Sequence, residues 1–337
     1  MILQALYNYY LRKAADPTSQ IAPEGWEWKE IPFLVVIDEE GHFRALQDTR
    51  EGEGKKRRSK KFLVLQGEKR TVGIKAFLLW DNVEYALGAN PRERNDVAER
   101  HDAFKKRIRE ELGSFAGVAP VKAVLAFLET DPLGQIEGDP NGQEAWKEAL
   151  ESNAFVTFRI DGSSDTTVFD ALRDKISGQK EETVSGERAR CLVTGEKTSI
   201  ARLHPAIKGV WGTNTSGGAL ISFNLSAFAS YGKQQNYNAP LGETASFSYT
   251  TALNLLLGKD SQNKTSVGDA TTVFWAQKPA VEQYDMEQDF AWYVADPPKD
   301  DPDKGVRAVK ALFAAARSGS LPSGSDDRFY VLGLSPN

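Results

Sequence analysis

The stretch Ile31–Leu46, IPFLVVIDEEGHFRAL, decides the fold class of this chain. Its first half, Ile31–Ile37, is a continuous apolar run bounded by proline and aspartate, which is typical of a buried strand. Glu39–Gly41 is typical of a turn, and a second short strand, His42–Leu46, follows it. The pattern therefore predicts a pair of neighbouring strands within a folded domain.

Helices and further strands are predicted on both sides of this pair. Upstream, Leu3–Ala15 has apolar residues at helical spacing and ends before Asp16-Pro17. The same criteria predict downstream strands over Phe62–Gln66, Ala154–Ile160, Thr271–Trp275 and Phe329–Leu334, and helices over Asn95–Leu112, Pro120–Glu129, Asp165–Ile176 (capped by Asp165), Gly242–Leu257 and Lys304–Ala316. The fold class expected from these elements is α+β, in a large region of several lobes.

Two segments rich in Pro, Gly and Asp suggest how the chain is divided. Asp131–Gly142 is a candidate seam, and Ala295–Asp303 reads as a linker. We expect one α+β lobe over residues 1–130 and a second over 131–295. Residues 296–337 would then form a linker, a helix and a strand-like run that lead into a further C-terminal part.

Composition limits the classes of protein to consider. The formal net charge of −5 is mild, and 40% hydrophobic residues indicate a folded chain. A single cysteine excludes an internal disulfide and fits a reducing cytosol, and no apolar run is long enough to span a membrane. Phosphate-loop and dinucleotide fingerprints are absent, and one Cys with three His makes a structural zinc site improbable. We expect a cytoplasmic protein without cofactor, metal or membrane contact.

Positive charge is concentrated in residues 51–75, which hold nine Lys or Arg against three Glu. Cations that meet phosphates release condensed counterions, which gives salt-dependent binding of nucleic acid. No nearby acidic run offers internal neutralisation, although a solvated loop is the competing interpretation. The candidate phosphate contacts are Lys55, Lys56, Arg57, Arg58, Lys60, Lys61, Lys69 and Arg70. Gly73 and Lys75 are candidates for a hairpin that enters a groove, and the alternative is an ordinary turn before a core tryptophan.

A second candidate region, Cys191–Pro240, combines flexible backbone, amide side chains and aromatic residues. Glycine allows close approach to another polymer, and amides carry both a donor and an acceptor that can read base edges. Turn residues around a hairpin explain the same composition. The candidates for readout of a duplex are Asn214, Thr215, Ser216, Lys233 and Gln235. Tyr231 is a candidate for base stacking, whereas Phe223, on an apolar strand, is better explained as core.

Catalysis has weak support in the sequence. His204 precedes Pro205 and lies thirteen residues after Cys191, a spacing that is unspecific for a nucleophile and base. A hydrogen-bonded histidine and a small buried cysteine explain both residues. The carboxylates cluster in turns and in the linker, so no catalytic residue is expected; a metal-dependent nuclease or RNA-processing enzyme remains the alternative.

Several blocks of this chain resemble the large subunit of the type I-C CRISPR surveillance complex (Cascade). They are Met1–Tyr7, Trp28–Pro32, Asp48–Gly52, Leu79–Asn82, Tyr85–Gly88, Cys191–Glu196, Ile200–Pro205, Ile207–Val210, Ser222–Asn224, Ser230–Gln235 and Asn238–Pro240. The blocks are scattered over nearly the whole chain, so coincidence is a poor explanation.

The resemblance implies a function for the two candidate regions. It implies a non-catalytic subunit in antiviral defence, which recognises the short motif beside the target (the PAM), supports duplex opening and recruits the helicase–nuclease. Guide pairing reads most of the target in such complexes, so the protein reads only a few base pairs and the backbone. The implied partners are guide RNA, target double-stranded DNA and the other Cascade subunits. Chains of this family are longer, which implies a C-terminal helical bundle after this sequence. A purely structural scaffold is a further alternative.

Overall fold

The computed structural model describes residues 2–54, 57–67, 70, 73–111, 118–177, 188–214, 216–279, 287–288, 290–291 and 328–336, with backbone alone at 111 and 174–177. Contacts divide the chain into two compact units. The central unit is Gly25–Thr183, and the terminal unit combines Met1–Glu24 with Val184–Asn337.

The central unit is built around a four-stranded sheet. Its elements are β1 (Trp26–Glu30), β2 (Phe33–Ile37), β3 (Phe43–Asp48), β4 (Lys61–Leu65), β5 (Trp80–Asn82), α2 (Val83–Ala86), α3 (Val97–Glu111), α4 (Ala119–Glu129), α5 (Pro132–Glu137), α6 (Gln143–Glu151), β6 (Phe155–Ile160) and α7 (Val168–Ser177). The strand order is β3-β2-β6-β5, and β1 pairs with β4 in a separate antiparallel ribbon.

The middle of this sheet is apolar on both faces. All five residues of β2 are buried, and β2 runs parallel to β6 with Val35 opposite Phe158. The ring of Phe158 packs against Phe104 of α3 and Phe127 of α4, so these two helices cover one face of the sheet. Burial of this kind is the main favourable term for the unit, since each large apolar side chain removed from water contributes about 2 kcal/mol.

The terminal unit consists of a helix pair and a three-stranded sheet. Its elements are α1 (Ile2–Ala14), β7 (Arg188–Arg190), β8 (Lys197–Ser199), α8 (Glu243–Leu256), β9 (Lys264–Val267), β10 (Ala270–Ala276) and β11 (Phe329–Leu334), with short 3₁₀ turns at Ser226–Phe228 and Gln235–Asn238. The sheet order is β11-β10-β9, with antiparallel neighbours, and β7 pairs with β8 alone.

Aromatic side chains join the helix pair to the sheet of the terminal unit. Tyr9 of α1 packs edge-on against Trp275 of β10, which in turn stacks on Tyr330 of β11. Tyr10 packs against Phe247 of α8, a helix that is buried on most of its surface. The beginning of the chain therefore completes a core whose other members come from its second half.

The α+β fold class is confirmed, as are most elements expected from apolar periodicity. Helix α7 begins at Val168, three residues after the expected cap Asp165. The candidate seam Asp131–Gly142 contains helix α5, whose cap Asp131 accepts a hydrogen bond from the Gly134 N–H. The expected linker at 295–303 and helix at 304–316 lie outside the described residues. Sequence patterns also missed the short strands β1, β5, β7, β8 and β9 and the helices α2 and α6.

The two units differ from the lobes expected at 1–130, 131–295 and 296–337. Strand β6 lies after residue 131 but pairs with β2 and β5, so the contacts keep both sides of that position in one unit. None of the helices in the described part of the chain is long and apolar enough to cross a membrane.

Candidate nucleic-acid interface

The basic loop, residues 51–75 of the central unit, is partly neutralised by nearby carboxylates. Arg57 forms ion pairs with Asp48 at the end of β3 and with Glu148 of α6, and Arg50 pairs with the same two carboxylates. Burial alone would raise the pKa of Asp48. Hydrogen bonds from Arg50 and the positive charges of Arg50 and Arg57 outweigh burial and hold this pKa below its ordinary value. The charge of Arg57 is therefore matched within the unit.

Other cations of the basic loop also have local partners. The Nζ atom of Lys60 lies 2.8 Å from Glu51, and the backbones of Glu51 and Arg58 exchange two hydrogen bonds of 2.9 Å. Lys61 begins strand β4, where its backbone lies opposite Glu30. The expectation that no nearby acid neutralises this loop is wrong, because Asp48, Glu51 and Glu148 do so. Lys55, Lys56 and Lys69 lie outside the described residues.

Arg70 is held by a buried carboxylate. Its guanidinium pairs with Asp81, which is fully buried, and lies 3.8 Å from the ring centroid of Phe77 and 4.1 Å from that of Tyr85. Burial raises the pKa of Asp81 above its ordinary value, while Arg70 and the N–H groups of Phe77 and Asn82 act in the opposite direction. This environment gives Arg70 a structural role in the central unit.

Gly73 and Lys75 are exposed, but they do not lie in a hairpin. The structure assigns no strand to residues 73–79, and the first strand after them is β5. Gly73 has φ of +78° and open space where a Cβ would lie, so its backbone is accessible. The Lys75 carbonyl accepts a 2.7 Å hydrogen bond from Arg70 Nε, which fixes this turn to the Arg70 site.

The charge pattern is different in the terminal unit. Residues 197–242, here the carboxylate-free segment, contain four Lys or Arg and no Asp or Glu. Within the part of the chain that the structure describes, no ion pair involves Lys208 or Lys233. Positive charge on this segment is therefore available to an external anion.

Two consecutive turns carry the first readout candidates of this segment. Thr213 N–H donates to the Val210 carbonyl, and Gly217 N–H donates to the Asn214 carbonyl at 2.9 Å. The turns are closed by two 2.8 Å hydrogen bonds between Ile207 and Gly218. Asn214 and Ser216 are exposed, and Thr215 lies outside the described residues. The interpretation of this stretch as a turn is confirmed, and its role in readout stays a prediction.

A third turn carries Lys233 and presents Tyr231 to solvent. Ser230 and Lys233 close the turn through a 2.9 Å hydrogen bond, with Tyr231 and Gly232 at φ of +51° and +74° between them. Positive φ at both central positions is the geometry of a hairpin tip, and it is costly for a bulky residue such as tyrosine. The Tyr231 side chain is fully exposed, so the turn presents an aromatic ring without burying any of it.

Gln235 is anchored rather than free. Its side-chain oxygen accepts a 2.6 Å hydrogen bond from Arg202 Nη1, and its carbonyl accepts one from the side chain of Asn238. Asn238 also accepts a hydrogen bond from Ser230 N–H, which ties the Tyr231 turn to the following 3₁₀ turn. Gln235 and Lys233 therefore belong to one hydrogen-bonded loop.

Exposed apolar residues within and between these turns were missed by sequence reasoning. Trp211, Leu225 and Phe228 are all exposed, and Ala219–Phe223 forms no strand. Phe223 is half-buried, so its assignment to the core is wrong. The sequence does contain a signal for this surface, because a long stretch without carboxylates offers no local partner for its cations.

Contacts with neighbouring residues explain both His204 and Cys191 without a catalytic role. His204 Nδ1 lies 2.8 Å from the Tyr249 hydroxyl, and burial lowers the pKa of His204 to about 4. Burial opposes ionisation of Cys191, but N–H donors from Gly242, Thr194 and Val193 hold the pKa of its thiol below the ordinary value. The cysteine therefore stabilises its own turn, while the histidine is a neutral partner of Tyr249.

Asp38, which is partly buried, and two exposed neighbours have the composition of a cation site. Asp38, Glu40 and His42 offer ligand atoms that all lie within 4.8 Å of one another. Asp38 already accepts hydrogen bonds from the N–H groups of Glu40 and His42, and it pairs with Arg44 at 2.8 Å. These contacts explain the cluster as the turn between β2 and β3.

Comparison with protein families gives one match that covers almost the whole chain. The family model described as CRISPR-associated protein (Cas_Csd1) matches residues 6–337. A search among curated proteins finds no match. The chain therefore belongs to the Cas_Csd1 family of CRISPR-associated proteins, the large-subunit family of type I-C surveillance complexes.

Proposed function

We propose that this chain is a non-catalytic, cytoplasmic subunit of an RNA-guided complex, and that it recognises the short motif beside the target in double-stranded DNA. Its partners would be the guide RNA, the target duplex, the other subunits of the complex and the helicase–nuclease that follows target binding. The division of labour is economical, since guide pairing carries most of the sequence specificity.

The observation that carries the proposal is the Tyr231 turn within the carboxylate-free segment. A fully exposed ring next to Lys233 combines the two groups that hold nucleic acid without a deep pocket, an aromatic face and a cation. No carboxylate between Glu196 and Glu243 opposes the approach of phosphates. Glycine at position 232 has open space at its Cβ position, so a duplex can approach the backbone closely.

The basic loop has a smaller part in this proposal than its composition suggests. Arg57, Lys60 and Arg70 are already paired with carboxylates, so they contribute less to a phosphate contact. Phosphate contacts by the remaining cations of the loop, and readout by Gly73 and Lys75, stay predictions.

The test uses the full complex assembled with guide RNA and two duplexes that differ only in the base pairs beside the target. We expect Tyr231→Ala to weaken binding of the preferred duplex about tenfold, because the ring would insert at a base step that it partly unstacks, and one stacked base contributes about 1–3 kcal/mol. Tyr231→Phe keeps the ring and should bind like the parent. Leu225→Ala is the matched control, since Leu225 is an exposed apolar residue of the same segment without a ring.

Three results would contradict the proposal. Equal affinity of the parent complex for both duplexes would exclude recognition of a flanking motif. Unchanged binding by Tyr231→Ala would remove the turn from the interface. Cleavage of duplex DNA or repeat RNA by the purified chain with Mg²⁺ would show that the subunit is an enzyme.

A further inference from the structure

Trp211 is another aromatic side chain that a turn of the terminal unit presents to solvent. It is 73% exposed and is followed by Gly212, whose φ is +81°. The Thr213 hydroxyl donates a 2.7 Å hydrogen bond to the Val210 carbonyl, and this bond closes the turn. A large ring held in water has a cost that an external partner would remove.

This turn is fixed to α8 and β10 at several points. The N–H of Lys208 donates to Asn254 Oδ1 at 2.8 Å, and the N–H of Trp211 donates to Thr271 Oγ1 at 2.9 Å. A Cβ on Gly209 would lie 2.7 Å from the Leu257 carbonyl, and one on Gly212 would lie 3.0 Å from Pro336. These contacts leave the backbone of Lys208–Gly212 little freedom.

The chemistry around the turn favours a polyanion with flat rings. Lys208 is exposed, belongs to the carboxylate-free segment and forms no ion pair among the described residues. Stacking on an indole face requires a ring that is not already stacked within a duplex, and a neighbouring ammonium can meet the phosphate beside it. A rigid platform loses little entropy when it binds such a ring.

We propose that Trp211 and Lys208 form a binding site for one unpaired nucleotide of a single-stranded nucleic acid, with the base on the indole and the phosphate at the ammonium group. This inference rests on the proposed nucleic-acid function, but it concerns a separate turn and an unpaired strand. The Tyr231 turn would contact the duplex beside the target, whereas the Trp211 turn would hold a strand once it is unpaired.

The experiment measures binding of the 337-residue chain to a labelled oligo(dA), an oligo(A) of the same length and the corresponding duplex. We expect Trp211→Ala to weaken binding of the single strands about tenfold, from loss of one stacked base, with Trp211→Phe intermediate. Lys208→Gln should lower the slope of log affinity against log salt by about 0.7 for a single strand. Leu203→Ala, another exposed apolar residue of the segment, should bind like the parent. The two oligonucleotide arms separate DNA from RNA as the source of the strand.

The results that test the Trp211 site can be distinguished from the results that test the proposed function. In the assembled complex, Trp211→Ala should leave the affinity ratio of the two flanking-motif duplexes unchanged, whereas Tyr231→Ala should not. Failure of the parent chain to bind either oligonucleotide, or equal binding by the parent and Trp211→Ala, would overturn the site. Loss of another subunit from purified Trp211→Ala complexes, with unchanged oligonucleotide binding, would assign the ring to a protein interface and also overturn it.

Discussion

The basic loop of the central unit and the carboxylate-free segment of the terminal unit differ in whether their cations form ion pairs with carboxylates. Residues 51–75 hold nine Lys or Arg, yet Arg57, Lys60 and Arg70 pair with Asp48, Glu51, Glu148 and Asp81. The carboxylate-free segment holds only four, and Lys208 and Lys233 form no ion pair among the described residues.

This difference shows that the density of cations along a sequence does not measure the charge available to a ligand. Strands and helices bring Asp48 and Glu148 to Arg57 from positions that the local sequence does not reveal. An exposed ion pair contributes little to stability, but it does occupy the cation. Only the folded structure shows which cations lack a carboxylate partner, and among the described residues Lys208 and Lys233 form no ion pair.

The largest expected effect tests the structural role of Arg70. We expect Arg70→Ala to lower the free energy of unfolding of the central unit by about 3 kcal/mol, because it leaves Asp81 buried and unpaired. Hydrogen exchange of the β6 amides, in the strand paired with β5, would measure this change. Arg70→Ala with Asp81→Asn should recover most of the loss. A stable Arg70→Ala chain with weaker duplex binding would instead make Arg70 a phosphate contact.

A smaller effect concerns His204 in the terminal unit. The pKa of His204 is about 4 in the folded chain and near 6.5 in the unfolded chain. As the pH falls, the histidine therefore binds a proton in the unfolded chain at a higher pH than in the folded chain. The contribution of neutral His204 to the free energy of unfolding is fully present above the pKa of the unfolded chain, and it is lost as the pH falls towards 4. Between pH 7 and pH 5 we expect a loss of about 2 kcal/mol from this residue.

Urea unfolding of the parent and of His204→Asn at both pH values isolates this contribution, because asparagine keeps a polar partner for the Tyr249 hydroxyl but does not titrate. The variant should show the weaker dependence on pH. An equal dependence in both proteins would mean that His204 is protonated in the folded chain and is not the neutral group described above.

The smallest effect compares the two basic regions directly. Lys208→Gln with Lys233→Gln should reduce the slope of log affinity against log salt by up to about 1.6, with about 0.9 from a duplex phosphate at Lys233 and about 0.7 from a single-strand phosphate at Lys208. Arg57→Gln with Lys60→Gln removes the same formal charge, yet it should change the slope less, because these cations are already paired. Filter binding of the assembled complexes at several salt concentrations would measure both. A larger change from the second pair would reverse the comparison.

Much of the fold could be predicted from the sequence, and less of the site. Burial imposes a continuous apolar run on β2 and apolar residues at helical spacing on α1, α3 and α8. The type and approximate bounds of these elements can therefore be predicted from the sequence. Strands of three residues such as β5 and β7 carry no such period. Tyr231 was a candidate for base stacking, but Trp211 could not be assigned as exposed, because its turn has a positive φ at Gly212 and is anchored to Thr271, which lies far away in sequence.

The discontinuity of the terminal unit affects how the chain folds during synthesis. Helix α1 leaves the ribosome before the central unit, and its partners α8 and β10 leave after it. Tyr9 and Tyr10 therefore remain exposed to water while the central unit is made. The central unit is contiguous and can fold on emergence. Folding of the central unit then lowers the entropy cost of closing the terminal unit, because fewer flexible residues remain in the loop that must be closed.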